Sequence, residues 1–162
     1  MATTDSLLIQ RARAGDAAAV GELYECYQPA IYSYVYYRLG HAAEAEDLTA
    51  EVFVRMVTKL HTFQDQGKPI LAWLHTIAHN LVANHHRRDG HVQWLPLDET
   101  LSADEDGGLT DGLRLSRHEI RAAMAELTEP QRQVVWLKFI EGFSNAEVAA
   151  VLDRDENAVK SL

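Results

Sequence analysis

Three features of the 162-residue sequence predict an all-α protein of two small helical domains joined by a flexible acidic linker. Only four prolines interrupt a chain that is 47% hydrophobic, and its apolar residues recur at helical rather than alternating spacing. Residues 95–112 carry Asp98, Glu99, Asp104, Glu105, Asp106 and Asp111 with no Lys or Arg, and include Gly107-Gly108; such a composition predicts a flexible linker. Near the C-terminus, Thr128-Glu129-Pro130-Gln131 and Ser144-Asn145-Ala146-Glu147 are capping boxes, in which side chains satisfy the first backbone N–H groups of a helix. The expected domains are residues 1–94, a linker at 95–112, and residues 113–162.

The elements follow in order. Asp5 is expected to cap a first helix from Leu7 to Ala14, which Gly15 ends, and Asp16 to cap the next. That helix reaches Leu39 before Gly40, with Pro29 expected to kink or split it. Tyr24, Tyr27, Ile31, Tyr34, Val35 and Leu39 form its apolar stripe. A third helix spans Ala43 to Leu60: Leu48, Val52, Phe53, Met56, Val57 and Leu60 fall on one arc, and Glu44, Asp47, Glu51, Arg55 and Thr58 on the other. That polar arc is either a solvated face or an acidic docking face for a basic partner.

Residues 63–69 read as a loop. A fourth helix, Ile70 to Arg88, buries Trp73, Leu74, Ile77, Ala78 and Leu81. His75, Thr76, His79, Asn80, His86 and Arg87 share the other arc with Ala72 and Ala83, a hydrogen-bonding surface suited to nucleic acid. If His75, His79 or His86 face DNA, binding strengthens as pH falls from about 8 to 6, since charged imidazoles attract phosphate. After the linker, a helix from Leu113 to Leu127 precedes one that ends near Gly142. Two short helices joined by Asp153-Arg154-Asp155 then form a helix-turn-helix, whose second helix has only seven residues up to Leu162, so the DNA-reading helix is expected to be truncated.

Composition narrows the function. No run approaches the roughly 20 apolar residues of a membrane span, and the N-terminus lacks the pattern of a secretory signal. Cys26 is the single cysteine, which fits a reducing cytoplasm. A net charge of −9 argues against a free-standing duplex binder. His75 and His79 have i, i+4 spacing, but no Glu completes a His-Glu-x-x-His zinc motif. No phosphate loop or nucleophile elbow occurs, so neither an enzyme nor a cofactor or metal is expected.

Several runs are similar to those of bacterial sigma factors of the extracytoplasmic-function (ECF) group. They are Glu46-Asp47-Leu48-Thr49-Ala50-Glu51-Val52-Phe53, residues 72–81 with His85-His86-Arg87-Arg88, residues 127–132, residues 141–149 and residues 156–161. The resemblance implies a dissociable initiation subunit that directs core RNA polymerase to promoter DNA, with an anti-sigma factor as a further partner. It assigns Asp47, Glu51 and Arg55 to polymerase docking. Phe63, Gln64, Lys68, Thr76, His79, Asn80, Arg87 and Arg88 fall to the −10 element, where a base flipped from the strand meets Asn80 and the loop. Asn157, Lys160 and Ser161 fall to the −35 element, and the linker threads toward the RNA path. The chain departs from the family at Ala50 (usually Gln), Asp153 (usually the turn Gly) and Arg154 (usually aliphatic). The alternative is a helix-turn-helix regulator acting without polymerase.

Overall fold

A computed structural model describes residues 2–64, 68–89 and 117–162, and the chain divides into two compact units, Met1–Trp94 and Leu95–Leu162. Every regular element among the described residues is helical. The expected linker at 95–112 and the start of the helix expected from Leu113 lie outside the described residues, as does the loop tip at 65–67.

In the first unit, α1 (Ala2–Arg13), α2 (Ala17–Leu39), α3 (Ala42–Lys59) and α4 (Ile70–Asp89) pack together, with a 3₁₀ turn at Leu60–Thr62 closing α3. The core is built from Leu23, Ile31, Tyr34 and Val35 of α2, Val52 and Met56 of α3, and Leu74, Ala78 and Val82 of α4. Asp16 caps α2 as expected, accepting from the N–H groups of Ala18 and Ala19, and Gly40 ends it at φ 80°. Its carboxylate also accepts from Arg11, which holds Asp16 below the usual carboxylate range.

Two expectations are corrected. Asp5 does not cap α1, because the helix already starts at Ala2; its carboxylate instead accepts from the Tyr27 hydroxyl and ties α1 to α2. Burial first, and then this bond, raise the Tyr27 phenol well above its ordinary value. Nor does Pro29 split α2, which is continuous through it. Pro29 is exposed, so water can serve the carbonyl one turn earlier that proline leaves without a donor.

In the second unit, α5 (Arg117–Glu126) precedes α6 (Glu129–Val135), which runs on as a π turn at Trp136–Ile140. Then come α7 (Asn145–Leu152) and α8 (Glu156–Lys160), the two arms of the helix-turn-helix. Both capping boxes form, at Thr128 with Gln131 and at Ser144 with Glu147. Asp153 is left-handed at φ 53°, the conformation that favours glycine. Asp155 caps α8 by accepting from Ala158 N–H at 2.8 Å. Trp136, Leu137, Val148, Val151 and Val159 are the buried centre.

Ser144→Ala should cost about 1 kcal/mol by removing one cap bond, and Asp153→Gly should gain a few tenths to about 1 kcal/mol by relieving the left-handed residue; urea denaturation followed by helix signal checks both. Because Arg11 depresses the Asp16 carboxyl, its contribution is present above the unfolded value near pH 4 and is lost as pH falls through the lower folded value. Asp16→Asn should therefore flatten the acid limb of a stability–pH curve.

Candidate functional site

On α3 the polar arc is not purely polar. Asp47, Ala50, Glu51, Val54, Val57 and Thr58 are all exposed on one side, with Val54 at 61% and Val57 at 50% exposure. Val57 thus leaves the buried arc on which its spacing had placed it. Val52, Phe53, Met56 and Leu60 already fill the contact with α2 and α4, and Val57 lies at the margin of that arc. Arg55 is half-buried and donates to Glu51 one turn earlier, at 2.9 Å. Open carboxylates interleaved with two bare valines form a surface that can steer a basic partner and also bury apolar area against it.

On α4 the histidine arc is split. His75 is fully buried, its Nδ1–H donating to the Leu71 carbonyl at 2.9 Å and its ring edge-on to Tyr34. His79 is half-buried and meets Arg38 of α2, a charged residue only 3% exposed. Arg38 Nη1 donates to the Tyr34 hydroxyl at 3.1 Å and lies 3.0 Å from His79 Nδ1. A guanidinium can only donate, so Nδ1 must accept and the imidazole carries its proton on Nε2. His86 Nε2–H donates to the Arg38 carbonyl at 3.2 Å, and His85 lies 3.3 Å from Glu44.

The expectation of a solvated, DNA-facing histidine set is corrected accordingly: His75 belongs to the core, and His79 and His86 bond inward to α2. Ala72, expected on the same arc, is buried too, whereas Trp73 and Ile77 are only half-buried. What remains outward on α4 is Asn80, Asn84, Arg87 and Arg88, with Thr76 half-buried and donating to the Ala72 carbonyl. Among the described residues no group of three or more His, Cys, Asp or Glu could hold a metal ion.

The segment before α4 enters from a fixed point. Phe63 is buried, 5.1 Å from the Trp73 ring centroid, so it is a wall of the loop rather than an open contact. Gln64 and Lys68 are exposed on either side of the tip. In the second unit, Asn157 and Lys160 are exposed on α8, and Ser161 is exposed just after it. Lys160 pairs with Glu156 at 3.4 Å, and the Ser161 hydroxyl donates to the Ala158 carbonyl.

The sigma-70 region 2 family matches residues 23–92 and the sigma-70 region 4 family matches residues 117–162. The ECF RNA polymerase sigma factor SigD of Mycobacterium tuberculosis is 30% identical over 164 residues, covering 94% of this chain and 76% of SigD. The chain belongs to the ECF RNA polymerase sigma factors. It is also similar to the ECF sigma factor BldN of Streptomyces coelicolor, at 40% identity over 158 residues, and spans 96% of its own length but 60% of BldN. Two solved structures share the fold. CnrH, in complex with the cytosolic domain of CnrY, has a TM-score of 0.63 at 24% identity, covering 97% of this chain and 88% of CnrH. RpoE of Bartonella quintana, in complex with the anti-sigma factor NepR, has a TM-score of 0.65 at 21% identity, covering 87% of each chain.

Within this ECF sigma factor, α2 from residue 23 onward, α3 and α4 fall in region 2, and α5 to α8 in region 4. Membership of the sigma factors carries no enzymatic role. Sequence reasoning missed Arg38, although its place four residues after Tyr34 on an apolar stripe was a signal that a charge enters the core. His79→Ala should destabilise the protein by about 1–2 kcal/mol by removing an acceptor from the buried guanidinium. Asn80→Ala, on the outer face, should stay within about 0.5 kcal/mol of wild type in the same urea titration.

Proposed function

We propose that this chain is a dissociable transcription-initiation subunit that binds core RNA polymerase through the exposed face of α3 and directs it to promoters. The observation that carries this reading is the pairing of region 2 with region 4 on one chain, with an acidic and apolar α3 face left open. Asp47 and Glu51 supply attraction to a basic polymerase surface, while Val54 and Val57 supply apolar area once contact is made. Ala50, on the same face, leaves room for close approach.

The −10 element is assigned to the outer face of α4 and the loop before it. Asn80 hydrogen-bonds an extruded base beside Gln64 and Lys68, Thr76 flanks it, and Arg87 and Arg88 hold phosphates. A pocket that captures an unstacked base offsets a few kcal/mol of melting. In the second unit Asn157, Lys160 and Ser161 face the −35 element, with α8 lying toward the major groove. The solved relatives are bound to CnrY and to the anti-sigma factor NepR; by extension, a protein inhibitor covers polymerase-binding surface here. No described helix is long and apolar enough to cross a membrane, and the work assigned to the chain belongs to the cytoplasm, where polymerase and promoter are.

Core polymerase binding by the Asp47→Arg/Glu51→Arg double variant should fall at least tenfold, and Val54→Glu should weaken it as well. All three positions are exposed, so unfolding midpoints should stay near wild type. Wild-type affinity in both variants, measured by fluorescence anisotropy against purified core, would remove α3 from the docking surface.

A further inference from the structure

One buried residue ties α4 to α2 at two places. Arg38 follows Tyr34 by one turn of α2 and is 3% exposed. Its Nη1 donates to the Tyr34 hydroxyl at 3.1 Å and, across the helix junction, to His79 Nδ1 at 3.0 Å. The Tyr34 hydroxyl lies 3.3 Å from the same Nδ1. Further along α4, His86 Nε2–H donates to the Arg38 carbonyl at 3.2 Å. His79 and His86 are close to two full turns apart, so they share one face of α4. Holding both to a single residue sets the rotation of α4 about its axis. Asn80, next to His79, and Arg87 and Arg88, just after His86, are exposed in that setting.

The two tethers respond differently to a proton. A guanidinium can only donate, so His79 Nδ1 bonds Arg38 only while it carries no hydrogen. A proton there removes the acceptor and sets an imidazolium against a cation already out of water. His86 donates, and its bond survives a proton on the other ring nitrogen. Arg38 and Tyr34 face the His79 ring from α2, and Glu44 of α3 meets α4 further along, 3.3 Å from His85. That contact strengthens when His85 is charged. On α4 itself, His75 donates from Nδ1 to the Leu71 carbonyl and stands edge-on to Tyr34. Acid thus acts against the α2–α4 tether at His79 and spares the one at His86.

We propose that Arg38 is a positioning residue for −10 recognition, acting through His79, and that this makes promoter discrimination sensitive to acid. The inference rests on the reading that Asn80 and the outer face of α4 receive the −10 strand. Arg38 touches no DNA in this scheme. With His79 neutral, both tethers hold and Asn80 meets its base in one orientation. With His79 charged, Arg38 holds α4 through His86 alone, the helix gains rotational play, and the preference of Asn80 for one base weakens. The response is expected between about pH 8 and 6, where imidazoles take up their proton. Its sign is the reverse of that expected for imidazoles open to phosphate, which would strengthen binding as pH falls.

The test uses the full chain with core polymerase and a −10 non-template strand selected by wild-type holoenzyme from a randomised pool. The readout is the affinity for that strand divided by the affinity for one with its most strongly selected base exchanged. At about pH 8, Arg38→Met should lower this ratio about three- to tenfold with core affinity unchanged. In wild type the ratio should fall at least about threefold between about pH 8 and 6, with the helix signal constant. His79→Gln, whose side-chain carbonyl accepts from Arg38 and takes no proton, should flatten that fall. Asn80→Ala runs in parallel to test the underlying reading. A wild-type ratio in Asn80→Ala would overturn the base reading and the Arg38 proposal with it. With the Asn80→Ala ratio reduced, any of three results would overturn the Arg38 proposal alone: a wild-type ratio in Arg38→Met, a wild-type ratio that holds or rises in acid, or equal pH profiles for wild type and His79→Gln. Loss of core affinity in Arg38→Met would make Arg38 a general scaffold residue and overturn its positioning role. Should Arg38→Met fail to fold, Arg38→Lys, which keeps the charge but not the planar fork, decides: a reduced ratio supports the proposal, and a wild-type ratio overturns it.

Discussion

The rotational setting of α4 depends on a buried cation. Arg38 sits inside the first unit with its guanidinium on the Tyr34 hydroxyl and His79, lies over the Tyr34 ring at 5.6 Å, and receives His86 on its own carbonyl. A charge taken out of water is tolerated only when it is well hydrogen-bonded, so the groups around it lose their freedom to rearrange. α4 is consequently pinned to α2 at two places almost two turns apart, His79 and His86. With those positions turned inward, Asn80, Asn84, Arg87 and Arg88 have to face outward. The surface assigned to the −10 element is in this sense the reverse side of a core polar cluster.

Local chemistry was legible in the sequence, and partnerships over distance were not. Both capping boxes, the Asp16 cap, the Gly40 stop and the positive φ at Asp153 each depend on a few adjacent residues, and all are present. The helices themselves follow from apolar periodicity, and the ordered runs of the ECF group give the family. Periodicity failed where a distant residue intervened. His75 and His79 share the polar arc by angle, but Arg38 and Tyr34, about 40 residues earlier, draw them inward. Asp5 looked like a cap because it precedes an apolar run; Tyr27, 22 residues on, gave its carboxylate a better use. Nothing near Arg13 hints that it donates to the Leu60 carbonyl, 47 residues away.

The two units use charge in different ways. On α3 the exposed carboxylates accompany bare valines, so attraction and apolar burial can act at the same place. On α8 the charges are largely internal: Asp155 is spent on the cap, Glu156 on Lys160, and the buried Val159 holds the short helix against the unit. Between α6 and α7, the π turn at Trp136–Ile140 widens the helix, with Trp136 and Leu137 in the core and Phe139 left 59% exposed. Such turns displace the side chains that follow from the positions an uninterrupted helix would give them.

The Lys160–Glu156 pair also bears on how the thermodynamics of the α8 face respond to salt. A lysine open to solvent gathers mobile anions, while duplex DNA carries condensed cations that are set free when a protein cation arrives. Lys160 already keeps an anion of its own, covalently part of the same helix. A phosphate that displaces Glu156 exchanges one fixed partner for another and leaves a carboxylate beside the DNA, where it retains small cations that would otherwise escape. On the proposed reading of this face as the −35 contact, affinity falls less steeply with ionic strength than a count of its basic residues suggests.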